Sequence, residues 1–329
     1  EKFVGLGQLT ELGALQHFKL GILLRDRYSG FLSDEYSKNE IGYRSSYYNR
    51  TKMSILANQQ GMFASNGQTA PKLPLIENVP KTGIVIKYLQ KGGDPYVFDE
   101  VDCPLAKNAD EQIFESEEFR EIELTNQPFL QYIANNSGLF NLTLRYIYKI
   151  NDPLTFIFAH QNDGFKLPNW ATETTRKEIT RLYNLKNSFD FKTKKQKRLL
   201  SGLLFTEILN KMENISCENE FGSKEKFYAY SGHDGTVFPK FSTALLIELH
   251  KQKNKSEGLE ENTATFFIRL FHKNETDGNG LWEIEIPDCG NICSLEKLKE
   301  IKREYIIELK EWHNECKNNS IFNDKVNNM

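Results

Sequence analysis

A histidine and an aspartate stand side by side at His233-Asp234. They follow the short aromatic run Phe227–Tyr230 with its Ser231-Gly232 tail, and they precede Gly235. An imidazolium there can bind a phosphoryl oxygen, and a carboxylic acid can protonate a departing alkoxide. One such pair is a weak signal, and pattern by itself favours a turn in which Asp234 caps the next element. Arg44, in Tyr43-Arg44-Ser45-Ser46, sits just ahead of a helical pattern. A guanidinium at that place could hold phosphate in bidentate fashion, helped by the helix N-terminus. Taken singly, an ordinary surface arginine is the commoner case. His17, His160, His250, His272 and His313 show no carboxylate or second histidine at metal-ligand spacing. They read as structural or solvated, and no metal is expected. No GxSxG, P-loop or dinucleotide fingerprint is present.

The elements that must position these residues follow from periodicity. Leu12, Leu15, Phe18 and Ile22 recur at helical spacing, so a helix is predicted over Thr10–Tyr28 with Thr10 as N-cap. A second helix is predicted over Tyr47–Phe63, and a short strand over Leu73–Val79, kept near an edge by Pro74. The middle carries helical patterns at Glu111–Asn135, Thr174–Leu185 and Arg198–Met212, interrupted at Asp152-Pro153 and Leu167-Pro168. The basic run Lys192–Arg198 reads as a solvated lead-in to the next helix rather than a polyanion site. In the last third, Phe227–Tyr230, Thr243–His250, Thr265–His272 and Leu281–Ile286 read as strands. Ser294 then caps a helix whose inner face runs through Leu295, Leu298, Ile301, Tyr305, Leu309, Trp312 and Cys316. The order implies an α/β core with a helical insertion at about 99–212. In such cores chemistry sits at the carboxyl ends of strands, where His233 and Asp234 fall.

Composition narrows the class. The chain has 329 residues, 39% hydrophobic and 26% charged, with a net charge of −3. That is an ordinary globular composition with no electrostatic reason to expect a nucleic-acid partner. No apolar run approaches the roughly 18–20 residues of a membrane span. Asn-x-Ser/Thr occurs at Asn49, Asn135, Asn141, Asn214, Asn254, Asn274 and Asn318. That is more than chance supplies and favours a secretory route. Of the five cysteines, Cys103, Cys217, Cys289, Cys293 and Cys316, none has the CxxC spacing of a zinc site. In an oxidising compartment some should pair, and the odd count leaves at least one over.

Together the motifs resemble the histidine acid phosphatases of the lysosomal and prostatic type. Gly5–Gly13 (GLGQLTELG) is similar to that family's first helix, and Tyr43–Phe63 (YRSSYYNRTKMSILANQQGMF) to its arginine segment. Leu167–Glu173 (LPNWATE) and Ser201–Met212 resemble its cap, and Tyr230–Asp234 (YSGHD) its second catalytic segment. Cys289–Leu298 (CGNICSLEKL) and Trp312–Cys316 resemble its C-terminal signature. The resemblance covers nearly the whole chain. It implies a single domain over 1–329, with a phosphoglycerate-mutase-like sheet core flanked by helices and a helical cap insertion. It implies hydrolysis of phosphomonoesters through a phosphohistidine, with Arg44 and His233 as phosphate ligands and Asp234 as general acid. No metal or organic cofactor is implied. The family's disulfide pattern would pair Cys103 with Cys316 and Cys289 with Cys293, leaving Cys217 over. The location implied is secreted or lysosomal. Family members often dimerise, and nothing in the sequence marks an interface.

The chain departs from the family at three places. The RHGxRxP segment that supplies the nucleophilic histidine does not occur in these residues. A truncated sequence is therefore expected, and the chain as written is expected to be inactive. Only Gly235–Phe238 separates Asp234 from Pro239, where the family places a helix. A helix of three turns needs about 11 residues, so that helix is expected to be missing. Asn49 stands where the family has an aspartate, and its sequon is expected to be unmodified. The other six sequons are glycosylation candidates. Two further readings remain open at this point. One is a non-catalytic secreted relative, and the other is a phytase-like or inositol-polyphosphate phosphatase.

Overall fold

The computed structural model describes residues 7–64, 84–97, 103–216, 224–233, 243–252, 265–273 and 280–317. Asp234, Cys217, Asn254, Asn274 and Asn318 lie outside the described residues, as do the strand expected at Leu73–Val79 and the segment after Asp234. Along the chain run α1 (Glu11–Arg27), β1 (Ile41–Ser45), α2 (Asn49–Met62) and β2 (Ile86–Lys87). Then come α3 (Pro104–Phe114), α4 (Glu117–Ser137), α5 (Tyr148–Ala159), α6 (Glu173–Asp190) and α7 (Lys194–Ser216). The last third holds β3 (Phe227–Ser231), β4 (Ala244–Gln252), β5 (Thr265–Lys273), β6 (Trp282–Ile284), β7 (Cys293–Ser294), α8 (Leu295–Ile301) and α9 (Leu309–Lys317). The chain divides into two compact units, one of residues 1–102 with 201–308, the other of 103–200 with 309–329.

The first unit carries both sheets. β1 pairs in parallel with β2 and β3, giving the order β2-β1-β3, with Ile41 opposite Phe227 and Ser45 opposite Ser231. β1 has alternating burial, with Ile41, Tyr43 and Ser45 on the buried face and Arg44 on the other. β4 and β5 form an antiparallel pair from Ala244–Lys273 to Gln252–Thr265, and β6 and β7 both pair with β5. Leu20, Leu24, Ile41, Tyr43, Ile55 and Phe271 belong to one core, while Leu209 and Met212 of α7 join Phe266, Ile268 and Leu298 in another.

α1 forms where expected, and the Thr10 hydroxyl accepts from the Gly13 amide at 3.1 Å. Its buried face differs from the expected one. Ala14, Gln16, Phe18, Leu20, Gly21 and Leu24 are buried, whereas Ile22 is 41% exposed. Two glycines explain the rotation. A Cβ on Gly21 would lie 2.0 Å from the Asn58 carbonyl oxygen, and one on Gly61 would lie 1.9 Å from that of Phe18. The helices α1 and α2 therefore meet backbone to backbone through small residues, which hydrophobic periodicity cannot register.

Three more boundaries differ. The helix expected over Glu111–Asn135 is two helices, because Ser116 caps α4 by accepting from the Phe119 amide and donates to the Ile113 carbonyl. Pro153 does not end a helix but lies inside α5, which is held by buried Ile150 and Leu154 on one face. The C-terminal helix breaks after Ile301. There the chain docks on α7, with the Ile307 amide donating to Thr206 Oγ1 at 3.0 Å, and a Cβ on Gly202 would lie 2.5 Å from the Tyr305 oxygen.

The second unit is helical. Phe119, Ile133, Leu144, Ile147, Ile179 and Leu182 lie in its core. A disulfide joins Cys103, just before α3, to Cys316 in α9, with Cα atoms 4.8 Å apart. In the first unit a second disulfide joins Cys289 to Cys293. Residues 194–198 of the basic Lys192–Arg198 run form the start of α7, and the two ends of the run are paired. Lys192 meets Glu118, and Arg198 meets Glu311 and Glu315.

Candidate active site

β1 and β3 run in parallel, so their carboxyl ends lie side by side, and the Ser46 amide extends the pairing by donating to the Ser231 oxygen at 3.0 Å. His233 sits two residues beyond the end of β3. α2 begins at Asn49, four residues beyond the end of β1, so its N-terminal turn opens at the same end. Tyr48, the N-cap, supplies no side-chain acceptor. The positive end of the helix dipole is thus available to an anion.

His233 is half-buried and held on both ring nitrogens. Nε2 lies 2.8 Å from Ser46 Oγ, and Nδ1 lies 3.2 Å from Arg50 Nη2. The Tyr48 ring stands edge-on to the imidazole at 5.1 Å, and Arg50 lies over the same ring at 4.4 Å. The partners of the Arg50 guanidinium among the described residues are uncharged: the Gly7 carbonyl, His233 and the Tyr48 ring. Its positive charge is not neutralised by any carboxylate among those residues.

Arg44 is placed differently. Its Nη2 and Nε donate to the two carboxylate oxygens of Asp94 at 3.0 and 3.3 Å, and Nη1 donates to Glu207 at 3.4 Å. The Asp94 side chain is only 1% exposed. The Tyr96 ring lies 4.3 Å from the guanidinium. Burial opposes the Arg44 charge, but the hydrogen bonds and charge of Asp94, with Glu207 behind, hold its pKa above the ordinary value. Tyr230 donates to Glu207 at 2.9 Å. Burial, then the charge of Glu207, push the Tyr230 phenol far up and the Tyr228 phenol up to about 12. This is a satisfied ionic network with two carboxylates on one guanidinium. A phosphate dianion brought to Arg44 would meet Asp94 and Glu207 at close range.

The structure therefore sets Arg50, and not Arg44, against His233. Sequence reasoning passed over Arg50 because it read that position only as the middle of the Asn49 sequon. The usable signal was its place in the first turn of a helix that follows a strand. Asp94 and Glu207 carry no motif of their own and were missed as well. Asn49 is exposed and its amide donates to Gln8 at 2.9 Å. Asn135, Asn141 and Asn214 are all exposed. Among the other histidines, His160 is buried against Phe156, and His250 pairs at the surface with Glu248 at 3.0 Å. No group of three or more metal-ligating side chains occurs among the described residues. No helix among them is long and apolar enough to cross a membrane.

Comparison with known proteins bears on this geometry. Residues 3–277 match the family model of the histidine phosphatase superfamily, branch 2. The chain is 33% identical over 325 residues to a putative acid phosphatase 5 of Caenorhabditis elegans, covering 95% of this chain and 72% of that protein. It is 30% identical to human prostatic acid phosphatase, over 95% of this chain and 80% of that one. With human lysosomal acid phosphatase the identity is 29%, over 95% and 73%. Among solved structures, the phytase of Citrobacter braakii superposes with a TM-score of 0.60 at 16% identity, over 96% of this chain and 91% of that one. The phytase of Klebsiella sp. ASR1 gives 0.61 at 14%, over 92% and 87%. At such identities these two structures speak to the fold alone. With the family model covering most of its length, the chain belongs to branch 2 of the histidine phosphatase superfamily, among phosphomonoester hydrolases of the acid phosphatase kind.

Proposed function

We propose that the phosphoryl group of a phosphomonoester is held at the carboxyl ends of β1 and β3 by Arg50 and His233, with the N-terminal turn of α2 behind it. The observation that carries this reading is the 3.2 Å contact between Arg50 Nη2 and His233 Nδ1 at that end of the sheet. A cation with no carboxylate partner among the described residues, an imidazole and a helix N-terminus together favour a dianion. Asp234, the next residue after His233, is the proposed general acid on the strength of the family resemblance. Arg44, the other phosphate ligand that the resemblance suggested, fits this role less well, because Asp94 and Glu207 already neutralise it. No nucleophile is assigned among the 329 residues, since none of them forms an RHGxRxP segment.

The helical unit of residues 103–200 and 309–329 is proposed to correspond to the cap of the family. Passage through the secretory pathway is supported by the two disulfides and by the exposed Asn135, Asn141 and Asn214.

Titration with inorganic phosphate tests the site. His233→Ala should weaken phosphate binding by roughly tenfold or more, the size of one charge-assisted hydrogen bond. Unchanged affinity in a folded His233→Ala protein would remove His233 from the site.

A further inference from the structure

Around His233 the directions of the hydrogen bonds to Ser46 and Arg50, and of those behind Ser46, follow from what each group is able to donate. Thr51 Oγ1 lies 2.8 Å from the Tyr48 carbonyl oxygen, 2.8 Å from Ser46 Oγ and 3.0 Å from Ser45 Oγ. A carbonyl oxygen only accepts, so the single Thr51 hydroxyl proton goes to Tyr48. Thr51 Oγ1 must then accept from both serines. Ser46 has given its proton to Thr51 and can only accept from His233 Nε2. The opposite end of the chain leads independently to the same assignment. A guanidinium has donors and no acceptor, so the His233 Nδ1 that faces Arg50 must be the bare nitrogen. A neutral imidazole has one N–H, and it is on Nε2.

We infer that Ser46 and Thr51 are positioning residues for His233, forming a hydroxyl relay that fixes its ring as the neutral Nε2–H tautomer with Nδ1 turned to Arg50. Protons are given in one direction throughout, from Arg50 to His233 to Ser46 to Thr51 to the Tyr48 carbonyl. Ser45 and Ser46 are 0% exposed and Thr51 is 4% exposed, so water does not substitute for a relay member. Ser231 Oγ donates to the Thr51 carbonyl at 3.0 Å, which ties the end of β3 to the same turn. The consequence for chemistry rests on the proposed phosphoryl site. An arriving phosphoryl oxygen meets an imidazole already oriented, with its unprotonated Nδ1 on the Arg50 side.

The test is the tautomer of His233 in the full chain, read by long-range proton–nitrogen correlation with labelled imidazoles and assigned by its loss in His233→Gln. The unmodified protein should show one form, protonated at Nε2, under conditions where the ring is neutral. An Nδ1–H pattern would overturn the relay without any variant being needed. In Thr51→Val the Ser46 proton has no hydroxyl to go to and competes for His233 Nε2, leaving Arg50 alone to hold the tautomer, so a second, Nδ1–H form with the ring turned away from Arg50 should appear beside the first. Thr51→Ser keeps the hydroxyl and should keep the single form. A folded Thr51→Val protein with the unmodified pattern would overturn the positioning role, and Ser46→Ala repeats that test should Thr51→Val fail to fold. Titration of the same samples with inorganic phosphate separates the two claims. The expected tautomer pattern together with unchanged phosphate affinity in a folded His233→Gln protein would support the relay and overturn the phosphoryl-ligand role of His233.

Discussion

At the scale of residues, the two arginines of one short segment have opposite surroundings and should fail in opposite ways. Arg44 compensates Asp94, whose side chain is 1% exposed. Arg44→Met would leave that carboxylate buried with the Tyr96 amide but without its counter-charge, at a cost of about 3–5 kcal/mol. Arg50 has no carboxylate to abandon among the described residues, so Arg50→Met should cost less than about 1 kcal/mol. Urea unfolding of the two variants measures the difference, and equal losses would make Arg50 a structural residue too. His233 was singled out in the sequence through the resemblance of Tyr230–Asp234 to the family's second catalytic segment, since the His-Asp pair by itself is a weak signal. Arg50 was not, because no one-dimensional pattern tells a paired guanidinium from one without a carboxylate partner. The distinction lies in Asp94 and Glu207, 50 and 163 residues from Arg44 along the chain.

At the scale of elements, α2 presents Arg50 and Thr51, and α1 sets the position of α2 through Gly21 and Gly61. On α1, burial and then the charge of Lys273 lower the pKa of His17 from 6.5 to about 4. His17 is thus neutral in the fold, and between these values the unfolded chain binds more protons than the native one. Its contribution to stability is whole above about pH 6.5 and is lost as the pH falls toward 4, by at most about 3 kcal/mol. His17→Gln should flatten that part of the stability-versus-pH curve. A variant whose curve stays parallel to that of the unmodified protein would show that His17 does not titrate this way. The spacing-based reading placed α1, α2 and the strands β3 to β6 but not β1. Ile41–Ser45 is short, polar at its end and supported on both sides by β2 and β3, so its strand character comes from neighbours rather than from its own residues. The inner face of α1 was misread for a related reason: its closest contacts are made by glycine.

For the molecule as a whole, the disulfide between Cys103 and Cys316 spans 213 residues of sequence yet closes within the helical unit, where α9 packs on α3. Trp312 adds a hydrogen bond from its indole to the Leu199 carbonyl at 2.8 Å. Nothing in the periodicity of residues 309–317 says that they return to the unit begun at Cys103. The pairing came from the family resemblance rather than from spacing. In the chain-entropy account a loop of this length is worth about 5 kcal/mol. Replacing both cysteines by serine should lower the unfolding transition of that unit in scanning calorimetry and leave the transition of the sheet-bearing unit in place. A common shift of both transitions would mean that the two units unfold as one.

The central claim is that a phosphoryl group binds beside His233 at Arg50 rather than at Arg44. The affinity of the protein for inorganic phosphate, compared between Arg50→Ala and Arg44→Ala with the fold of each checked, addresses it most directly. Arg50→Ala is predicted to weaken binding by roughly tenfold or more, and Arg44→Ala by less than about threefold. A folded Arg44→Ala protein that loses phosphate binding while Arg50→Ala retains it would contradict the account.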